Sequence, residues 1–190
     1  MIKGKIENYQ SSLLKNNKMR YMLIIIGAKG NIKDIDNFLQ QLSRLAKDNN
    51  IVIQAFDADL IYGKKHLISA VEHAVRSIER KKNTTNSLEM EILLYASGER
   101  QLKLAIPKMG VKKGNVNIAF VLFNEKLDFS YLLIKKLLED LSLKRDDKVL
   151  EGNENTLCKF GLNENEIKSV EKAKYGSLIL EKVAMVDIIK

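Results

Sequence analysis

The fold is decided by two neighbouring segments, FDADLIYGKKHLISAVEHA (Phe56 to Ala74) and NSLEMEILLYASGERQLKLAIPKMG (Asn86 to Gly110). In the second segment, Gly98 divides an apolar stretch into a hairpin of two helices, and Gly110 ends the second arm. Pro107 falls in the last turns of that arm, where it is expected to kink the helix rather than prevent it. The two segments combine patterned surface with few catalytic residue types, which indicates a binding protein.

Further elements follow from the period of the apolar residues. β-branched apolar runs predict strands at Tyr21 to Ile26, Ile51 to Phe56 and Val116 to Phe123. Helices are expected at Ile32 to Asp48, Lys64 to Lys82, Ser87 to Ser97, Glu99 to Met109, Phe129 to Asp140, Glu164 to Lys174 and Leu178 to Ile189. The last of these also satisfies the period of a strand. Lys144 to Asn155 is interpreted as a mobile loop.

Potential helix caps support these boundaries. Asn31 with Asp34, Asn86 with Glu89, and Asn163 with Glu166 each place a capping side chain three residues before an acidic one. The elements together predict a mixed α/β (α+β) fold, in which a small, mostly antiparallel sheet packs with several helices, including the central helix hairpin. We expect one domain over residues 21–190, preceded by a flexible basic arm over residues 1–20.

Composition narrows the functional classes. A chain of 190 residues with 45% hydrophobic content can bury a core and form a single domain. The apolar run from Tyr21 to Ala28 is too short to cross a bilayer and has no signal-cleavage pattern after it, so we expect a cytoplasmic protein without membrane contact. Cys158 is the single cysteine, which excludes an internal disulfide, and it is interpreted as a small buried hydrophobe or a bystander. The formal charge of +8 suits a polyanionic partner.

The helix from Lys64 has two faces of different chemistry. Leu67, Val71, Ala74 and Ile78 form the predicted core stripe. The opposite face carries Lys65, Ser69, Arg76 and Arg80, with His66 and His73 beside them and Glu72 and Glu79 on the flank. This stripe could follow a phosphate backbone, or it could be an ordinary solvated helix face. The predicted RNA-binding residues are Lys64, Lys65, His66, Arg76, Arg80, Arg100 and Lys103.

The helix from Ser87 to Ser97 is apolar nearly all round. Leu88, Ile92 and Tyr95 fill one side, whereas other apolar residues point elsewhere. Such a helix is either central to its domain or buries a second face against another molecule. The partner-binding interpretation assigns the docking surface to Met90, Leu93, Leu94 and Leu104. The alternative is a helix enclosed between the sheet and the C-terminal helices.

The search for a catalytic site finds little. The chain has no HExxH, CxxC or GxSxG pattern, and His66 and His73 are about 10 Å apart along one helix, too far to share a metal ion. Asp57 and Asp59 follow a strand, where turn or capping roles are common. The GAKG sequence at Gly27 to Gly30 lacks phosphate-loop spacing and is interpreted as a plain turn. No metal or cofactor is expected. The alternative function is a small nucleotide-handling enzyme that uses Asp57, Asp59 and His66.

Several phrases resemble one known family. The chain resembles the regulatory-subunit family of the KEOPS complex, which includes the PRPK-binding protein TPRKB and its archaeal homologues. The segments that carry the resemblance are, in chain order, FDADLIYGKKHLISAVEHA, NSLEMEILLYASGERQL, VNIAFVLFN, DDKVLEGNE and LEKVAMVDI. The resemblance runs from about Ile51 to the C-terminus and is weaker before it. It implies a non-catalytic protein that binds and stimulates the complex's small atypical kinase/ATPase subunit. It also implies help in recruiting tRNA for threonylcarbamoyl-adenosine formation next to the anticodon.

Overall fold

The computed structural model describes residues 12–15, 20–125 and 131–189. Its sheet consists of β1 (Ser12–Lys15), β2 (Arg20–Ile32), β3 (Val52–Asp57), β4 (Gly114–Asn124) and β5 (Lys144–Arg145). The strand order is β1-β2-β4-β3, the short β5 also pairs with β2, and every pairing is antiparallel. The antiparallel sheet confirms the predicted α+β class.

The described helices surround this sheet. They are α1 (Ile35–Asp48), α2 (Gly63–Glu79), α3 (Leu88–Ser97), α4 (Leu102–Met109), α5 (Tyr131–Asp140), α6 (Glu154–Phe160), α7 (Glu164–Lys168) and α8 (Tyr175–Ile189). Short 3-10 turns lie at Ala58–Leu60, Asp147–Leu150 and Lys172–Lys174. Among the described residues, no helix is both long enough and apolar enough to span a membrane.

Helices cover both faces of the sheet, and successive side chains of β2 point to opposite faces, so both sets of side chains are buried. Leu23 and Ile25 pack in the core shared with α2, α3, α4, α6, α7 and α8. Ile24 and Ile26 pack in the other core, which the sheet shares with α1 and α5. The apolar run in β2 is therefore continuous rather than alternating, as a strand between two helical layers requires.

The predicted helix hairpin is confirmed. Gly98 ends α3 with a left-handed φ of 69°, a conformation that glycine adopts without a Cβ clash, and its N–H donates to the carbonyls of Leu94 and Tyr95. Gly110 ends α4, and Pro107 lies inside that helix. The hairpin places α3 in the middle of its helical layer, in contact with α2, α4, α8 and β3.

The turn predicted at Gly27 to Gly30 is wrong, because these residues continue β2 and pair with both β4 and β5. A Cβ on Gly27 would lie 2.5 Å from the Asp146 carbonyl oxygen, and one on Gly30 would collide with Leu143. The glycines thus let the segment after α5 pack directly on the strand. The mobile loop predicted at Lys144 to Asn155 is also wrong, because this segment packs on β2. It forms β5, a 3-10 turn and the start of α6.

Several predicted boundaries also change. The helix expected from Glu164 to Lys174 ends at Lys168, because the Ser169 hydroxyl donates to the Glu166 carbonyl at 2.6 Å and competes with helical hydrogen bonding. The reciprocal capping box of Asn163 and Glu166 is confirmed. Asp34 rather than Asn31 caps α1.

Further observations concern the N-cap of α3, the last segment and the N-terminal residues. The N-cap of α3 is Ser87 rather than Asn86, without a side-chain hydrogen bond. The last segment is a helix, not a strand. Part of the predicted N-terminal arm, Ser12–Lys15, forms β1, whereas residues 1–11 and 16–19 lie outside the described residues. The predicted start of the helix at Phe129 also lies outside them.

Candidate partner-binding surfaces

The predicted docking face on α3 is wrong in its main residues. Leu93 is 2% exposed and Leu94 is fully buried, because α3 is enclosed by its neighbouring helices and β3. Met90 is half-buried and packs against the same core. Leu104 lies at the surface with 49% exposure, beside the similarly exposed Ile106 on α4. The enclosed-helix interpretation is therefore the correct one for α3.

A different helix presents an apolar second face. Tyr175, Ile179, Val183 and Val186 bury one face of α8 in the core. Met185, Ile188 and Ile189 project outward from the last turns, and Ile188 is 74% exposed. Positions 185, 188 and 189 fall within about 100° around the helix axis, so they share one stripe. We call these three residues the α8 apolar face.

Ile78 is a further exposed apolar residue, on α2. It was predicted to belong to the core, but it is 37% exposed because it lies in the last turn of α2, at the end of the helix pair. Helices α2 and α8 run in the same direction, since a Cβ on Gly176 at the start of α8 would lie 3.5 Å from the ring of Tyr62, which precedes α2, and His73 contacts Asp187 near the end of α8. Ile78 therefore lies at the same end of the pair as the α8 apolar face.

Of the predicted basic residues on and next to α2, Lys65 and Arg80 are exposed, and Arg76 is half-buried. Lys65 and Arg76 are separated by eleven positions, which places them within about 20° of each other around the helix axis. Arg80 continues the same side one turn later. None of these three forms a salt bridge with another described residue. Lys64 is half-buried at the start of α2, and Arg100 and Lys103 are exposed on the helix hairpin.

His66 is buried, and its predicted contact with RNA is wrong. The side chain is 1% exposed, its Nδ1 accepts from the Tyr62 N–H at 3.3 Å, and its Nε2 lies 2.8 Å from the Ala96 carbonyl. Burial lowers the pKa of His66 to about 4, so the ring is neutral at physiological pH and Nε2 carries the proton. His66 therefore joins the start of α2 to the end of α3.

Asp57 and Asp59 line an open groove of about 1110 Å³ at the end of β3. Asp57 pairs with Lys112 at 2.8 Å, and Asp59 pairs with Lys159 at 2.6 Å. The hydrogen bond from Lys159 is the main reason that the pKa of Asp59 lies below its usual value. Because His66 is buried elsewhere, the structure does not assemble the predicted catalytic set into one site.

Cys158 and His73 are two further residues with side chains that could form a site. Cys158 is exposed, so it is not a core residue. His73 contacts Asp187 through Nδ1 at 2.7 Å, and its ring lies against Tyr95. Among the described residues, no group of His, Cys, Asp and Glu side chains could hold a metal ion.

Sequence reasoning missed the α8 apolar face, although the signal was present. The segment YGSLILEKVAMVDII has apolar residues on every side of a helix, as α3 has. The sequence analysis predicted a helix at Leu178 to Ile189, but apolar residues on every side of a helix do not show which side the neighbouring elements leave uncovered.

Comparisons with known proteins identify the family of the chain. Residues 30–187 match the family model described as kinase binding protein CGI-121. The chain is 33% identical over 141 residues to the regulatory protein Cgi121 of Methanocaldococcus jannaschii, which covers 72% of this chain and 84% of that protein. It is 28% identical over 122 residues to the EKC/KEOPS complex subunit cgi121 of Schizosaccharomyces pombe, with 64% of each chain covered. The chain therefore belongs to the CGI-121 family of kinase binding proteins.

Proposed function

We propose that this chain is a non-catalytic regulatory subunit of a KEOPS-type complex that binds and stimulates the complex's small atypical kinase/ATPase subunit. We further propose that it helps recruit tRNA for threonylcarbamoyl-adenosine formation next to the anticodon. The family description and the names of the two relatives support the first part. The observation that carries the proposal is the α8 apolar face, because it offers a kinase a docking surface that α3 does not.

The α8 apolar face has the properties of an interface centre. Its side chains are large, adjacent and exposed, and burying one such residue in a contact contributes about 1.5–3 kcal/mol. Leu104 and Ile106 form a smaller apolar site on α4, which remains the second proposed docking position.

The proposed tRNA contact uses cations that form no salt bridge within the described part of the chain. Lys65, Arg76 and Arg80 lie along one side of α2 over about 22 Å, a length that matches several phosphates of an RNA strand. Arg100 and Lys103 are proposed as further contacts on the hairpin. The overall charge of +8 supports association with a polyanion.

Substitutions that introduce a negative charge at exposed apolar residues test kinase docking. Ile188→Glu places a carboxylate at the centre of the α8 apolar face, and we expect binding to the purified kinase subunit to weaken about a hundredfold in isothermal titration. Leu132→Glu is the matched control, because Leu132 is 69% exposed on α5, across the sheet from α8. Wild-type affinity in Ile188→Glu would contradict the proposal, and a loss confined to Leu104→Glu would move the docking site to α4.

A further inference from the structure

The last turn of α8 lacks the charges that stabilise the end of a helix. Carbonyl groups at a helix C-terminus have no partners within the helix and give that end a partial negative charge. Among the described residues, this turn contains no basic side chain to offset the charge, and it holds the carboxylate of Asp187. Because the helix end repels a carboxylate, this turn is expected to fray unless other contacts hold it.

Asp187 is attached to both neighbouring helices. The Tyr95 hydroxyl on α3 donates to Asp187 Oδ1 at 2.5 Å, and Nδ1 of His73 on α2 lies 2.7 Å from Oδ2. Burial would raise the pKa of Asp187, but hydrogen bonds from Tyr95 and His73 bring it below its usual value. An ionised carboxylate only accepts hydrogen bonds, so Nδ1 of His73 carries a proton. Each carboxylate oxygen therefore has a donor from a different helix.

The two donors lie on helices that the core fixes. Tyr95 is fully buried in α3, and burial raises the pKa of its hydroxyl, which therefore stays protonated and donates. The His73 side chain is 15% exposed, and its ring centroid lies 5.4 Å from that of Tyr95. Asp187 is thus held by groups whose positions are set by packing.

We infer that Tyr95 and His73 are positioning residues for kinase docking, because they hold the last turn of α8 in the helical form that keeps the α8 apolar face on one side. In a frayed turn, Ile188 and Ile189 leave the helix and no longer share a stripe with Met185. The apparent affinity for a kinase then falls in proportion to the fraction of chains that keep the turn. This inference rests on the proposed kinase docking at α8 and adds the residues that keep the docking surface assembled.

The first test measures binding of the purified kinase subunit by isothermal titration. Tyr95→Phe keeps the buried ring and removes the donor hydroxyl, and we expect the affinity to fall about fivefold. His73→Phe keeps a ring against Tyr95 without the second donor, and we expect a loss of about threefold. Asp34→Ala is the control, because it lowers stability by removing the N-cap of α1 on the other face of the sheet. It should leave the affinity unchanged.

Amide hydrogen exchange of the free chain tests the state of the turn without a kinase. Tyr95→Phe should speed exchange at residues 187–189 about fivefold, the same factor as its loss of affinity. Asp34→Ala should leave exchange in this turn as it is in the wild type, since a purely global loss of stability does not act on an already frayed end. Wild-type exchange of this turn in Tyr95→Phe would overturn the inference.

The outcomes separate this inference from the proposed function. Wild-type affinity in Tyr95→Phe, together with lost binding in Ile188→Glu, would overturn the positioning role and leave docking at α8 in place. A wild-type chain that does not bind the kinase would overturn both. In the Ile188→Glu background, Tyr95→Phe should add no further loss, whereas an additive loss would show that Tyr95 does not act through the α8 apolar face. If Tyr95→Phe does not fold, His73→Phe decides the same comparisons.

Discussion

Helices α3 and α8 have similar compositions but different environments. Both are apolar nearly all round, yet every residue of α3 from Glu91 to Ser97 is buried, whereas α8 buries one face and exposes Ile188. The difference lies in position, because α3 contacts helices on several sides and β3, while the outer side of α8 carries no described element. An apolar helix is thus a candidate interface only when its place in the layer leaves a face uncovered.

The largest expected effect is a difference in the free energy of unfolding between a glutamate substitution in α3 and one in α8. Leu94→Glu buries an unpaired charge in the core and is expected to cost about 4–5 kcal/mol or to prevent folding. Ile188→Glu is expected to change the free energy of unfolding by about 0.5 kcal/mol or less. Urea denaturation of both variants measures the contrast. Similar losses in the two variants would show that α8 belongs to the core as fully as α3.

The free energy of unfolding should depend on pH through His66, which joins α2 to α3. Its pKa is about 4 in the folded chain against 6.5 when unperturbed, so the unfolded chain binds the proton more readily. The stability that neutral His66 supplies is complete above about pH 6.5 and is lost as the pH falls towards 4, by about 3 kcal/mol. Urea denaturation of His66→Gln across this range should show a flatter profile, whereas an unchanged profile would contradict the burial of His66.

The hydrogen bond between Tyr95 on α3 and Asp187 on α8 should contribute measurably to stability. Tyr95→Phe removes the hydroxyl that donates from α3 to Asp187 on α8, and we expect a loss of about 1.5 kcal/mol in the free energy of unfolding. Tyr21→Phe is the matched control, because the buried Tyr21 hydroxyl has no hydrogen-bond partner among the described residues. Equal losses in thermal or urea unfolding would mean that the Tyr95 hydroxyl does not join the helices.

The smallest effect on the fold comes from the basic side of α2. Arg76→Gln with Arg80→Gln should leave stability within about 0.5 kcal/mol, since neither arginine forms a salt bridge with a described residue. The slope of log tRNA affinity against log salt should become shallower by about 0.7–0.9 for each phosphate that the double variant no longer neutralises. A salt titration of tRNA binding measures this change. Equal slopes in wild type and double variant would exclude these arginines from the RNA-binding surface.

Local patterns predicted much of the fold. The period of apolar residues located α1, α2 and β4 to within a few residues, and glycine chemistry located the hairpin at Gly98. The Asn163 capping box formed as its spacing predicts. These features depend on neighbouring residues, so a single sequence contains the information needed to find them.

The features that sequence reasoning missed depend on distant parts of the chain. Gly27 stays in a strand because the segment containing Asp146 packs against it, and no local rule indicates that approach. His66 was grouped with exposed basic residues, but Ala96 and Phe160 enclose its ring. The predicted docking surface failed for the same reason, since the cover over Leu94 comes from elements far away in the chain. Helical periodicity identifies faces but not what covers them.

Amide hydrogen exchange of the chain with and without the kinase subunit tests whether the kinase docks on α8 rather than on α3. We expect the last turns of α8, around Met185 to Ile189, to become protected on binding, while α3 is slow to exchange in both states because it is buried. Protection confined to Leu102–Met109, with α8 unchanged, would contradict the account.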